Sequence, residues 1–193
     1  MKTKILSLLF FLFSIISFSQ TLEELKMDTK KIYDANYYMV FEDIANLTYP
    51  KIVESIGENA YLDKLSLDYE NKEYRMRLQL IDPVFQYSAI KKIEGKTFCV
   101  ITYKNPVRYF YEDKLDSNLI AQKTAFLKEI NKNALITFEP KRNSFNVRRN
   151  SKFIAVCDET TQKQWRFFNM DDTVQKQLFQ AIFSETTKKG LGL

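Results

Sequence analysis

Histidine is absent from this 193-residue chain, and cysteine, glycine and proline are scarce, at two, four and four residues. Without an imidazole there is no zinc cluster of the histidine type, no Ser-His or Cys-His nucleophile, and no histidine proton shuttle. Four glycines form neither a P-loop nor a dinucleotide-binding pattern, so no cofactor is expected. No metal site is expected either. The two cysteines, Cys99 and Cys157, each sit in an apolar strand-like run, at 98–101 and 153–157. Two buried free thiols and one cross-strand disulfide are both open readings of that placement, because bridging depends on a separation the sequence does not state.

What is present is apolar and aromatic. Hydrophobic residues make up 45% of the chain and charged residues 27%, a profile that excludes a disordered or low-complexity chain. Lys2 and Lys4, the apolar run Ile5 to Ile16, and Ser17-Phe18-Ser19 have the order of a secretory leader. The run is shorter than the ~20 residues a spanning helix needs. Cleavage is therefore expected after Ser19, leaving residues 20–193 as one exported domain, periplasmic or secreted, with no transmembrane segment. Loss of Lys2 and Lys4 lowers the formal charge of +5 to +3. That excess is too small to imply a nucleic-acid partner.

Helical periodicity comes first along the chain. Leu22, Leu25, Ile32 and Tyr33 fit one face of a helix, with a break expected at Asp34-Ala35-Asn36. Pro50 suits a first helical turn, Gly57 a helix end, and 58–67 a further short helix. Period-two alternation starts at Tyr74, is interrupted by Asp82-Pro83, and resumes on both sides of a Glu94-Gly95-Lys96 hairpin signal. An inserted helix capped by Asp116 or Ser117 carries Leu119, Ile120, Phe126, Leu127 and Ile130. Strands are expected at 135–139, 144–148, 153–157 and 165–168. One closing helix follows Asp171 or Asp172 and ends near Lys188-Lys189-Gly190. This order predicts an α+β fold: N-terminal helices on a curved, mostly antiparallel sheet, with an inserted and a C-terminal helix.

The stretch Thr48-Tyr49-Pro50-Lys51-Ile52-Val53-Glu54, with Ile90-Lys91-Lys92-Ile93, Thr137-Phe138 and Gln164-Trp165-Arg166-Phe167, resembles small exported bacterial proteins of the nuclear transport factor 2-like, or cystatin-like, superfamily. The resemblance implies a sheet bent into a cone with a pocket at its wide end. It departs from the usual pattern at Gly57-Glu58, where a glycine pair often follows the Tyr-Pro motif, and in the inserted helix at 117–130. Enzymes on that fold often use an Asp–His pair, which this chain cannot supply, or a Tyr–Asp pair, for which no position can be matched.

Aromatic residues are the most unusual feature: eleven tyrosines, sixteen phenylalanines and one tryptophan. Trp165, Tyr49 and Tyr103 are the candidates for a pocket wall, since each joins an apolar ring to a polar tip. Ordinary core and sheet packing is the more usual role of such rings. Among the carboxylates, Asp43 is the one on a helix that could face a cone interior; the others fall at turns and helix starts. The basic stretch 141–152 reads as a solvated hairpin or as a contact for an anionic partner. These features point to a non-enzymatic module for a small apolar or aromatic ligand. The alternatives are a protein–protein module, dimerising through the open sheet face, and a carboxylate–tyrosine lyase or isomerase.

Overall fold

A computed structural model describes residues 22–193; the leader expected at 1–19 lies outside them. The chain opens with helices α1 (Leu22–Tyr38), α2 (Phe41–Leu47), α3 (Pro50–Ile56) and α4 (Glu58–Tyr69). Strands β1 (Arg75–Leu78), β2 (Gln86–Tyr87), β3 (Lys91–Ile93), β4 (Lys96–Lys104) and β5 (Val107–Phe110) follow. Helix α5 (Ser117–Ile130) leads into β6 (Leu135–Glu139), β7 (Ser144–Arg148), β8 (Asn150–Cys157) and β9 (Arg166–Asn169). Helices α6 (Thr173–Ile182) and α7 (Glu185–Leu191) close the chain. The fold class is α+β, with helices packed on open antiparallel sheets.

Two sheets can be drawn, β1-β5-β7-β6 and β2-β4-β8-β9 with β3 also on β4. Their registers show that they are one sheet with a bend. From Thr97↔Cys157 to Phe110↔Ser144 the paired strands advance by equal numbers of residues, with nothing inserted on either side. At the corner the Asn105 N–H still donates to the Arg149 carbonyl at 2.9 Å, so the ladder crosses the bend. The outer lane behaves differently. Eight steps separate Leu78 from Gln86 while five separate their partners Val107 and Thr102, so three extra residues bulge out around Asp82-Pro83. Pro106 sits where its missing N–H would have faced this lane, and its carbonyl takes the last bond, from Gln79 N at 2.9 Å. Proline is tolerated there because the neighbouring strand leaves at that point.

Alternation then assigns the faces. In the β4–β8–β9 half, Phe98, Ile154, Val156 and Phe168 point to one side and pack on Ile44, Tyr49, Ile52, Phe179 and Phe183. Cys99, Ile101, Tyr103, Phe153 and Phe167 point to the other, inner side, where Leu25, Ile32 and Tyr33 of α1 cover them. The inner side continues past the bend as Val107, Tyr109, Phe145 and Val147, covered by Leu127 of α5 and Tyr69 of α4. Both faces of the first half are buried, and one face of the second.

Local chemistry sets most element ends. Glu94 (φ 50°) and Gly95 (φ 77°) make the two-residue turn joining β3 to β4, with both central residues in the left-handed region. Asp116, Asp172 and Ser184 cap α5, α6 and α7, accepting from Leu119, Gln175 and Thr187 N–H groups. Two expectations are corrected. Asp34-Ala35-Asn36 does not break α1, because Ala35 is buried and Asn36 Nδ2 bonds back to the Ile32 carbonyl at 2.7 Å, inside the helix. The closing helix is two helices, because Phe183 turns extended (φ −102°, ψ 142°) to enter the core and Ser184 starts α7. Also, 149 is a bend within a continuing strand, and the hairpin tip of the basic stretch lies at Pro140–Arg142.

Replacing Asp116 by alanine removes an exposed cap without touching the core, and should lower stability by about 1 kcal/mol in urea unfolding, with no change in the slope.

Candidate functional site

On the inner side of the bend, where neither α1 nor α5 covers the sheet fully, a cavity of about 310 Å³ opens. Its walls come from both halves of the sheet: Tyr103 and Phe153 below the corner, Met76 and Tyr109 above it. Helix α4 closes one side with Leu65 and Tyr69, and α1 another with Ile32 and Asn36. Tyrosine rings dominate the upper wall, where Tyr74 packs edge-on against Tyr109 at 5.0 Å between ring centres.

Polar groups gather at the corner itself. Asn105 Nδ2 donates to Ser151 Oγ at 2.9 Å, and Ser151 in turn donates to Asp171 Oδ2. Arg149 Nη1 donates to Asn131 Oδ1 at 2.7 Å, while its Nε stands 3.9 Å from Asp171 Oδ2, an ion pair without a hydrogen bond. Tyr69 Oη donates to Asn36 Oδ1 at 2.9 Å. At the rim Lys64 bridges Asp172 at 2.5 Å and Asp68 at 2.6 Å. Burial alone would lower the Lys64 ammonium, but the two carboxylates hold it above its ordinary value. Burial raises the Asp68 carboxyl, against the pull of Lys64. The Tyr103 phenol lies well above its ordinary value, first through burial and then through Asp171, so it keeps its proton and yields it reluctantly.

Two atoms in this cluster stand apart. Asn105 Oδ1 and Arg149 Nε are both buried and neither has a hydrogen-bond partner. Buried polar groups are nearly always paired, so each such atom calls for a physical account.

A second recess, of about 450 Å³, lies on the outer side of the same bend against Gln79, Pro106 and Asn146. Its Lys104 and Arg148 are exposed, as expected of solvated surface cations.

Of the three aromatic candidates, Tyr103 lines the inner cavity. Trp165 shares its face of the sheet but is packed into the core beside Phe153 and Phe167, 1% exposed, with its indole N–H unpaired. Tyr49 is on the opposite face. Its ring stacks on Phe168 at 4.8 Å, its N–H extends the β9 edge by bonding to the Phe167 carbonyl, and its Oη donates to Asp158 at 2.9 Å. The structure therefore does not bring these three together. Asp43 is exposed on α2, outside the cavity. Cys99 and Cys157 are free, buried thiols on the same face of adjacent strands, Cys157 lying opposite Thr97 and Cys99 opposite Ala155. Burial pushes both thiols up, partly offset at Cys99 by its contacts with Ser88, so neither is a ready nucleophile.

The cavity's polar residues were missed by motif reading, yet a signal existed. Asn105 follows Tyr103 and precedes Val107 on the inward alternation, and Arg149 lies likewise between Val147 and Ser151. A polar residue at an inward position is the informative exception in a strand.

No family model, curated protein or solved structure matches this chain. Among the described residues no helix is long and apolar enough to cross a membrane, and no cluster of three or more acidic or cysteine side chains could hold a metal.

Burial pushes the Tyr49 and Tyr61 phenols from 10.0 up to about 12. Above pH 10 the unfolded chain then sheds these protons first, so stability falls as pH rises from about 10 to about 12. Tyrosinate absorbance from these residues should appear together with loss of far-ultraviolet dichroism; ionisation of Tyr49 near 10 in the folded chain would contradict its burial. Tyr49→Phe should cost roughly 1–3 kcal/mol, since it strips a donor from the buried Asp158 carboxylate.

Proposed function

We propose that this chain is an exported module that binds a small, largely apolar or aromatic ligand, on a bent sheet of the nuclear transport factor 2-like kind. The observation that carries the reading is the inner cavity, a concave site on the bent sheet where aromatic and aliphatic side chains such as Tyr103, Tyr109, Ile32 and Leu65 meet polar and charged ones such as Asn105, Lys64 and Asp171. Binding sites for small molecules are concave, with apolar surface for the body of the ligand and placed polar groups that orient it. Its size, about 310 Å³, suits a ligand of one or two rings.

The competing readings find less support. A dimer through the open sheet face needs an apolar patch there. The outer face beyond the bend mixes Phe110 and the exposed Leu135 with Arg75, Arg77 and Thr137, and Arg108 is held there by both Glu139 oxygens at 2.6 and 3.0 Å. A lyase or isomerase would use a carboxylate and a tyrosine together, and Asp171 and Tyr103 do share the cavity. The raised Tyr103 phenol, however, makes a poor proton donor near neutral pH.

Native mass spectrometry of the protein, taken gently from the compartment in which it matures, should show a bound mass that is lost on denaturation. Leu78→Trp, which fills the cavity from the β1 side, should remove that mass while leaving the dichroism spectrum intact. A dimer without added mass would favour the interaction reading, and a bare monomer would count against a bound ligand.

A further inference from the structure

The second recess, on the outer side of the bend, carries charge of one sign only. The outer lane leaves the sheet at Pro106, and the recess of about 450 Å³ opens there, with Ile81 at the start of the bulge on one side and Asn133 before β6 on the other. Lys104 stands opposite Asn150 in the ladder, and Arg148 lies two residues before Asn150 on the same face. The two cations are therefore diagonal neighbours, roughly 7–8 Å apart at the backbone and within reach of a shared partner. Among the described residues neither side chain has a hydrogen-bond or ion-pair partner. No carboxylate lines the recess, and Asp82, the residue after Ile81, is outside it. Apart from Arg149, the rest of the polar lining is neutral amide, including Gln79 and Asn146, which bond each other at 2.8 Å.

The neighbouring cations are handled differently. On the same outer face Arg108 is held by Glu139 and Arg77 by Glu70, and Arg75 lies 3.9 Å from Glu112. Of the arginines on this face, Arg148 alone has no carboxylate, and it is the one set in a concave wall beside a second free cation. Arg149 also lines the recess, but its guanidinium is committed to Asn131 and Asp171 and is not counted in the site. We infer that the recess binds a phosphate group in its doubly charged form, with Arg148 and Lys104 as its two cationic contacts. A guanidinium bonds two phosphate oxygens at once and a lysine adds a point charge, so the pair matches a tetrahedral dianion. A carboxylate carries a single charge and leaves one of the two cations unmet, while an ammonium ligand finds no anion on the wall. The site is separate from the inner cavity, with which it shares only Arg149, so its failure would leave the cavity reading untouched.

The test titrates inorganic phosphate, glycerol 3-phosphate, acetate and glycerol into the protein by calorimetry at pH 8, where a phosphate ester (second pKa about 6) carries both charges. Both phosphates should bind, acetate about tenfold more weakly and glycerol not at all, the scale expected when one charged contact is lost. Arg148→Gln and Lys104→Gln should each lower phosphate affinity about tenfold, and because both side chains are exposed the variants should keep the wild-type dichroism spectrum. Lys51→Gln, which removes an exposed charge on α3 outside the recess, should leave the affinity unchanged. Tighter binding of glycerol 3-phosphate than of phosphate would identify an ester as the ligand, and equal binding the free anion; both uphold the inference. Acetate binding as tightly as phosphate, or the same loss from Lys51→Gln as from Arg148→Gln, would overturn it by reducing the effect to general charge attraction. Absence of phosphate binding would overturn it outright.

Discussion

Everything in this molecule depends on one ribbon of two antiparallel strands that turns a corner without losing its register. The Asn105 N–H to Arg149 carbonyl bond carries the ladder through the turn, so inward and outward alternation stays in phase from Thr97 to Phe110. Had a residue been inserted on one side, the alternation would have flipped and buried polar residues in place of apolar ones. The bend is accommodated on the neighbouring lane instead, by the extra residues around Asp82-Pro83. Pro106 marks the spot where that lane departs and no donor is needed.

A sheet bent in this way has an inner and an outer side with different demands. The first half is buried on both faces, so its strands read as nearly continuous apolar runs such as 153–157. Helices α2, α3, α6 and α7 cover one face and α1 the other. Tyr61 ties the first set together: it accepts from Gln175 on α6 and bonds Thr48 at the end of α2, each at 3.1 Å. Because Thr48 gives its own proton to the Ile44 carbonyl, Tyr61 must be the donor in that second bond. The Tyr49-Pro50 motif has a similar structural duty, pinning the start of α3 to the β9 edge and to Asp158.

The cavity exists because the inner side is too long for its helices to cover completely. Apolar and polar side chains both line what remains, with Lys64 and Asp68 on α4 and Asp172 and Gln175 at the start of α6; at the corner Ser151 and Asn131 hold Asn105 and Arg149 in place. Such a cluster stabilises little by itself, since the net gain from each buried hydrogen bond is about 1 kcal/mol. Its effect is to fix which atoms point outward from the network.

Element types were largely legible in the sequence because they follow from local causes: Pro50 at a first turn, Glu94-Gly95 between strands, Asp116 and Asp172 as caps, and alternation from Tyr74 onward. Where local signals failed, tertiary packing outweighed them. Asp34-Ala35-Asn36 reads as a breaker, but burying Ala35 kept α1 whole; Phe183 reads as mid-helix, but its place in the core split α6 from α7. The candidate site shows the same division. Tyr103 was legible as an aromatic with a polar tip, but so were Trp165, which shares its face and is packed into the core, and Tyr49, which lies on the opposite face, because ring type reveals neither the face nor what covers it. Asn105 and Arg149 lie 44 residues apart in a 193-residue chain and become neighbours only through the register of the bent ribbon. Local propensity thus determined the elements and their polarity, while long-range strand pairing alone decided which polar atoms would meet, because no local interaction links the two sides of the corner.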